Sequence, residues 1–303
     1  MTVTLTPLPV LDAALGAGWS VQPLNASGFC RTWRAQRKGS ALFVKAVPPP
    51  RADVLEAEAD GLAALAATGA VRVPDVAYCG AADASGAVVL ALEWLELRPA
   101  DAGFGPRLGR AVAALHDAPC PGEGRYGWRR DNRIGATLQS NRWSEQGGVS
   151  GWIDFWGRER LNALARRLAE QDGSADLVRA VAAVVARLPA FFADGYQPRP
   201  ALIHGDLWSG NWGLLPDGTP VLYDPAVSCS DPEAELAMME LFGHPPPGFW
   251  EAYREVRAVH AGYAQRRGLY QLYHVLNHAL MFGGGYRRQA LALAQQLVQQ
   301  VGR

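Results

Sequence analysis

The stretch that most restricts how this chain can fold runs from Ala201 to Ala226. It reads ALIHGDLWSGN, then WGLL, PDGT, PVLY and DPA. An apolar strand leads into a polar loop. Two further apolar runs follow, joined by Pro216-Asp217-Gly218-Thr219, whose residues favour a tight reversal, so a hairpin is predicted. Two strands of about four residues run only ~13 Å out and back. The hairpin therefore returns the carboxylate of Asp224 toward the loop bearing Asp206 and Asn211, close enough to Asn211 for both to face one hard cation.

The rest of the chain divides around this segment. Gly18 to Pro23, Thr32 to Gln36 and Ala41 to Val47 read as strands of a small antiparallel sheet, separated by Asn25-Ala26-Ser27-Gly28 and Arg37-Lys38-Gly39-Ser40. Pro48-Pro49-Pro50 stops the sheet, and Asp53 can cap a helix reaching about Thr68. Ala87 to Leu95 is apolar at nearly every position, as in a strand buried on both faces. From Gly105 the spacing turns helical, with long helices expected at about Gly151 to Gln171 and Asp176 to Phe192. The expected organisation is α+β: a sheet lobe with one helix over residues 1–95, a mostly helical lobe over residues 96–303, and a cleft at the crossing near Glu96.

Composition excludes several classes. The chain has 303 residues, 49% hydrophobic and 19% charged, which is globular rather than disordered. Its 29 basic and 29 acidic residues cancel, so no basic excess favours nucleic acid or an anionic membrane. Cys30, Cys79, Cys120 and Cys229 lie far apart without a CxxC pair, and reduced thiols are expected. MTVTLTPLPV lacks a charged n-region before an apolar core, and no apolar run approaches a membrane span, so a cytoplasmic protein is expected.

Asp206 and Asn211 stand in the D-x-x-x-x-N spacing of kinase catalytic loops. In that chemistry the Asp receives the proton of the attacking hydroxyl, and the Asn oxygen and a later Asp, here Asp224, hold magnesium on the nucleotide phosphates. Lys38 and Lys45 are the only lysines among 29 basic residues. Lys45, in the apolar run FVKAV, suits the phosphate-neutralising ammonium of a kinase strand. Leu55, Glu58, Leu62 and Leu65 share one helical stripe, which puts the Glu58 carboxylate on a buried face. A buried carboxylate needs a partner, and Lys45 is the expected one. Ser27-Gly28 is the candidate phosphate loop, though a plain hairpin turn explains the same residues.

HGDLWSGN, the DPA after the hairpin, ELAMMELFG and LYHVLNHALMFGGGY together resemble the fructosamine-3-kinase (ketosamine kinase) family, relatives of the aminoglycoside and choline phosphotransferases. FVK, EAEADGL and Asp131-Asn132-Arg133-Ile134-Gly135 with Gln139, Asn141 and Trp143 extend the resemblance along nearly the whole chain. It implies a protein-kinase-like, two-lobed fold. It also implies transfer of the ATP γ-phosphoryl group to a sugar hydroxyl of free or protein-bound fructosamines or ribulosamines, leading to deglycation. Carried over, Asp206 is the base, Asn211 and Asp224 hold magnesium, Lys45 and Glu58 anchor the phosphates, and Glu93-Trp94-Leu95 receives the adenine.

The chain departs from the family pattern at Val227 to Glu235, where an aromatic pair and an arginine are replaced by Ser228, Cys229 and Pro232. This segment is expected on the rim of the acceptor site. Trp208 either stacks on the sugar or fills the core. His204 is expected to brace the loop, and His116, His274 and His278 to be hydrogen-bonded structural residues. Nothing around Cys30 suggests a lowered pKa. A different amine-bearing acceptor, or a nucleotide-binding pseudokinase, are the competing readings.

Overall fold

The computed structural model describes residues 6–26, 30–48, 51–81 and 87–302. In chain order the elements are α1 (Leu8–Leu15), β1 (Ser20–Ala26), β2 (Arg31–Arg37), β3 (Ser40–Val47), α2 (Ala52–Ala67), β4 (Val76–Ala81) and β5 (Val88–Glu93). Then come α3 (Phe104–Asp117), β6 (Asn132–Ile134), β7 (Thr137–Gln139), α4 (Gly148–Phe155), a π-helical turn (Trp156–Leu161), α5 (Asn162–Asp172) and α6 (Ala175–Val185). A 3-10 turn (Leu188–Phe192), β8 (Ala201–Ile203), β9 (Trp212–Leu214), β10 (Pro220–Leu222) and β11 (Ser228–Ser230) lead to α7 (Pro232–Met239), α8 (Phe249–Val256), α9 (Tyr263–Phe282) and α10 (Gly284–Gln300).

Alternation along the strands decides how the first unit is layered. Trp33 and Ala35 of β2, Leu42, Val44 and Ala46 of β3, and Val89 and Ala91 of β5 form one apolar face, closed by Val10 and Leu11 of α1. Lys45, between Val44 and Ala46, points to the opposite face, where Glu58 of α2 meets it. The sheet is antiparallel in the order β1-β2-β3-β5-β4. Its β5 is buried on both faces, as the unbroken apolar run requires. Asp53 lies in the first turn of α2 rather than at its cap, which is Arg51.

The chain separates into two compact units, Met1–Asp101 with Trp212–Pro225, and Ala102–Asn211 with Ala226–Arg303. The β9–β10 hairpin thus belongs with the sheet, and the crossing lies a few residues past Glu96. Backbone bonds explain the assignment: Arg98 N–H donates to the Leu214 carbonyl and Leu222 N–H to the Arg72 carbonyl, both at 2.9 Å.

In the second unit the expected long helices are broken. The first becomes α4, the π turn and α5, and the second stops at Val185 before the 3-10 turn. The π turn inserts a residue into the helical spiral, and Glu159 and Arg160 both become buried. Arg160 donates to Asn141 Oδ1 at 2.7 Å, and Ser140 Oγ to Glu159 Oε2 at 2.5 Å, so the bulge holds the strand end after β7. Cys120 and Cys229 form a disulfide, which corrects the expectation of four reduced thiols. The sequence separation is 109 residues, and only the fold brings the pair together. No helix among the described residues is long and apolar enough to cross a membrane.

Helix α3 packs on α8 closely enough that Gly109 and Gly105 leave no room for a side chain. A Cβ at Gly109 would overlap the Phe249 carbonyl, and one at Gly105 the Pro247 carbonyl. We expect Gly109→Ala to lose about 1–3 kcal/mol by forcing α3 and α8 apart, read as a lowered midpoint in denaturant unfolding.

Candidate active site

In the first unit, the Lys45 ammonium sits 2.7 Å from Glu58 Oε1 and 2.6 Å from Asp224 Oδ1. Strand parity supplies Lys45, the helical stripe supplies Glu58, and the hairpin supplies Asp224. Burial opposes the ammonium's charge, but the two carboxylates outweigh it and hold Lys45 well above the ordinary lysine value. Burial pushes the Glu58 carboxyl up, against the attraction of Lys45 and with the repulsion of Asp224. Asp224 adopts a left-handed backbone with φ +57°, uncommon for a residue other than glycine, and its side chain is half exposed.

Beside this trio lies a cavity of about 440 Å³ lined by Phe43, Leu92, Trp94, Leu97, Tyr223 and Asp224, with Pro74 and the Glu93–Glu96 chain completing its wall. Glu93, Trp94 and Leu95 all reach it. The Glu93 N–H is taken by the Asp75 carbonyl and the Trp94 N–H by Ala41. Among the described residues the Leu95 N–H has no protein acceptor, and it is the donor left for a ligand. The Glu93 side chain is engaged by Arg72 and turned away from that role. Trp94 is fixed by its Nε1–H on Glu96 at 2.8 Å and by the Arg34 guanidinium 4.4 Å over its ring. Ser27 and Gly28 lie outside the described residues. Cys30 nearby is buried, and burial pushes its thiol up to about 11, in keeping with an unreactive side chain.

In the second unit, β8 ends in the loop that carries Asp206. Asn211 Nδ2 donates to the Asp206 carbonyl at 2.7 Å and to Asp206 Oδ2 at 3.3 Å, and among the described residues Asn211 Oδ1 is an uncommitted acceptor. Gly205 has φ +86°, and a Cβ there would overlap the Ala226 carbonyl. His204 is fully buried, and its Nδ1 accepts the Asp206 N–H at 3.3 Å, which is the bracing role the sequence suggests. Trp208 is 39% exposed, which removes the core alternative.

Glu235, which carries no obvious sequence signal, holds this loop from behind. Its Oε1 accepts the Gly205 N–H at 2.7 Å, and its Oε2 accepts the His204 N–H at 3.0 Å and lies 3.0 Å from His116 Nε2. Burial raises its carboxyl, but His116 and the backbone donors outweigh this and hold it below the usual value. Every residue of α7 is buried, so no amphipathic pattern marks Glu235 as special.

Two expectations need correction. Ser228, Cys229, Ser230, Asp231, Glu233 and Glu235 are all at most 3% exposed, so the departing segment is internal rather than a rim. Asp231 caps α7 and accepts the hydroxyls of Tyr196 at 2.7 Å and Tyr270 at 2.5 Å, while Glu233 pairs with Arg266. Pro232 therefore opens a helix instead of facing a ligand. His116 and His278 are hydrogen-bonded as expected, but His274 Nδ1 is buried without a partner among the described residues. Burial, aided by His278 and Arg160, pushes its imidazole down to about 3 and keeps it neutral.

Glu235→Gln should cost about 3–5 kcal/mol near neutral pH, because three donors lose a buried carboxylate. The folded value of Glu235 is below 4.5, so its contribution is present above that pH and lost as pH falls through the folded value. Unfolding midpoints of wild type and Glu235→Gln should consequently be well separated at pH 7 and converge in acid; a constant gap would contradict the assignment.

The fructosamine kinase family profile matches residues 18–300. A protein of Synechocystis sp. named "Probable ketoamine kinase" is 42% identical over 257 residues, covering 84% of this chain and 82% of its own. The chloroplastic protein-ribulosamine 3-kinase of Arabidopsis thaliana is 34% identical over 258 residues, covering 85% and 76%. A crystal structure from Thermobifida fusca that carries the fructosamine-3-kinase name superposes with TM-score 0.81 at 30% identity, covering 96% and 98%. Aminoglycoside phosphotransferase APH(4)-Ia, in ternary complex with AMP-PNP and hygromycin B, shares the fold with TM-score 0.66 at 14% identity, covering 97% and 98%. This chain belongs to the fructosamine kinase family, a family of ATP-dependent phosphotransferases.

Proposed function

We propose that this kinase transfers the ATP γ-phosphoryl group to a sugar hydroxyl of a ketosamine of fructosamine or ribulosamine type, free or on a protein, as the relatives' names suggest for them. The observation that carries the nucleotide half is Lys45 held between Glu58 and Asp224 beside a base-sized apolar cavity. In this reading the adenine lies against Phe43, Trp94 and Tyr223 and accepts from the Leu95 N–H. Lys45 meets the α- and β-phosphates, and Glu58 keeps its ammonium aimed and charged. Ser27-Gly28 is kept as the candidate cover for the phosphates.

Asp206 is the proposed base. It orients the acceptor hydroxyl and takes its proton as the sugar oxygen bonds to the γ-phosphorus and the bond to the ADP oxygen breaks. The Asn211 amide fixes the Asp206 carboxylate and presents its own Oδ1, so it and Asp224 offer the hard oxygen ligands magnesium prefers. Magnesium, when bound, would supply charge neutralisation on the phosphates. Trp208, exposed two residues after the base, is the proposed stacking surface for the sugar.

Purified protein with Mg-ATP should release ADP with a fructosyl-lysine or ribulosyl-lysine acceptor, and not with an aminoglycoside or choline. Asp206→Asn should lower kcat by at least about 10³-fold while nucleotide affinity stays within about twofold, checked by coupled ADP assay and by calorimetry. Trp208→Ala should raise KM for the acceptor more than it lowers kcat. Turnover by Asp206→Asn at the wild-type rate would remove the base.

A further inference from the structure

The Cys120–Cys229 disulfide takes no part in the proposed chemistry, yet it is joined to the catalytic loop. Cys229 is the central residue of β11 and lies opposite Leu202 of β8, the strand that runs directly into His204-Gly205-Asp206. On its other side it exchanges backbone bonds with Gly127, at 2.8 and 3.0 Å. Thus β11 stands between the strand behind the base and the segment after α3, and the disulfide adds a covalent tie to that segment.

The two cysteines are unequally exposed. Cys229 is fully buried, whereas Cys120 is half-buried between the exposed Pro119 and Pro121. Of the two cysteines, Cys120 is thus the one an external thiolate approaches from solvent. Cys229 Sγ lies 2.8 Å from the Pro121 carbonyl, so a thiol there has an acceptor already in place. The opened state is then a satisfied one, and not a cavity with a stranded polar group.

We propose that Cys120–Cys229 is a reversible thiol–disulfide site, exchanged by a small thiol of the glutathione type, whose state sets how firmly β8 and the loop bearing Asp206 are held. The thiolate attacks Cys120 Sγ and bonds to it. The Cys120–Cys229 bond breaks, and its electron pair leaves on Cys229, which takes up a proton. A second small thiolate then attacks the outer sulfur of the mixed disulfide and releases Cys120 as a thiolate, which is protonated. Two small thiols become one small disulfide, and the protein gains two thiols; oxidation is the reverse. The consequence for turnover rests on the proposed role of Asp206, whereas the exchange chemistry and the loop response do not.

The test equilibrates the full-length protein in glutathione buffers from reducing to oxidising, traps thiols by alkylation and weighs the product. Exchange of amide hydrogens over residues 201–211 and kcat are measured on the same samples. We expect native protein to pass between two and four alkylated cysteines across the series. Exchange at 201–211 should rise by about threefold or more on reduction, with kcat falling and KM for ATP unchanged. Cys120→Ser should match the reduced protein in every buffer, and Cys229→Ser serves as a second opened variant should Cys120→Ser fail to fold. The proposal is overturned if native protein holds four alkylatable thiols in every buffer, if the bond resists every reducing buffer, or if it opens without change at 201–211. Loss of the kinase reading would show instead as absent turnover with the thiol and exchange results intact.

Discussion

One ammonium shared by two carboxylates governs the first unit. Lys45 neutralises one negative charge, so the trio with Glu58 and Asp224 carries a net excess of about one when both acids are ionised. Burial resolves part of this by pushing Glu58 upward, while the half-exposed Asp224 keeps its access to solvent. A flexible stem ending in a compact charge suits two single-oxygen contacts from different directions. A planar guanidinium, which this arginine-rich chain uses almost everywhere else, would impose its own fork geometry.

Holding Asp224 there has a conformational cost. A left-handed backbone at a residue other than glycine costs on the order of 1 kcal/mol or more, and persists only where neighbouring contacts fix it. They do: the β9–β10 register pairs Trp212 with Leu222, and the Tyr223 hydroxyl donates to the Trp212 carbonyl at 2.9 Å. The same tyrosine lines the cavity. Fixing the carboxylate and shaping the apolar wall are thus one structural act, and the hairpin's place with the sheet follows from it.

Periodicity made most of the first unit legible. The apolar run FVKAV put Lys45 in a strand, the helical stripe put Glu58 on a buried face to meet it, and Asp217-Gly218 fixed the hairpin that delivers Asp224. The ties that assign this hairpin to the first unit were not legible, because they are backbone bonds of Arg72 and Arg98, in which side-chain pattern has no say. Nor was the pairing of Cys120 with Cys229, which depends on the placement of β11 against β8 and Gly127. The π turn was hidden for a related reason: WGRER has helical propensity, and only burial of both Glu159 and Arg160 marks the extra residue.

Helix α7 shows where sequence patterns cease to discriminate. It is buried throughout, and its acids survive there because each has a dedicated set of donors: Tyr196 and Tyr270 on Asp231, Arg266 on Glu233, and His116 with two backbone N–H groups on Glu235. A polar group in such a place is tolerated only when satisfied. Pro232 at the start of this helix brings no cation, and Glu233 is met by Arg266 from α9. Changes between Val227 and Glu235 accordingly alter how the loop carrying Asp206 is supported. Those changes lie below the surface, whereas Trp208, two residues after Asp206 on the same loop, reaches solvent.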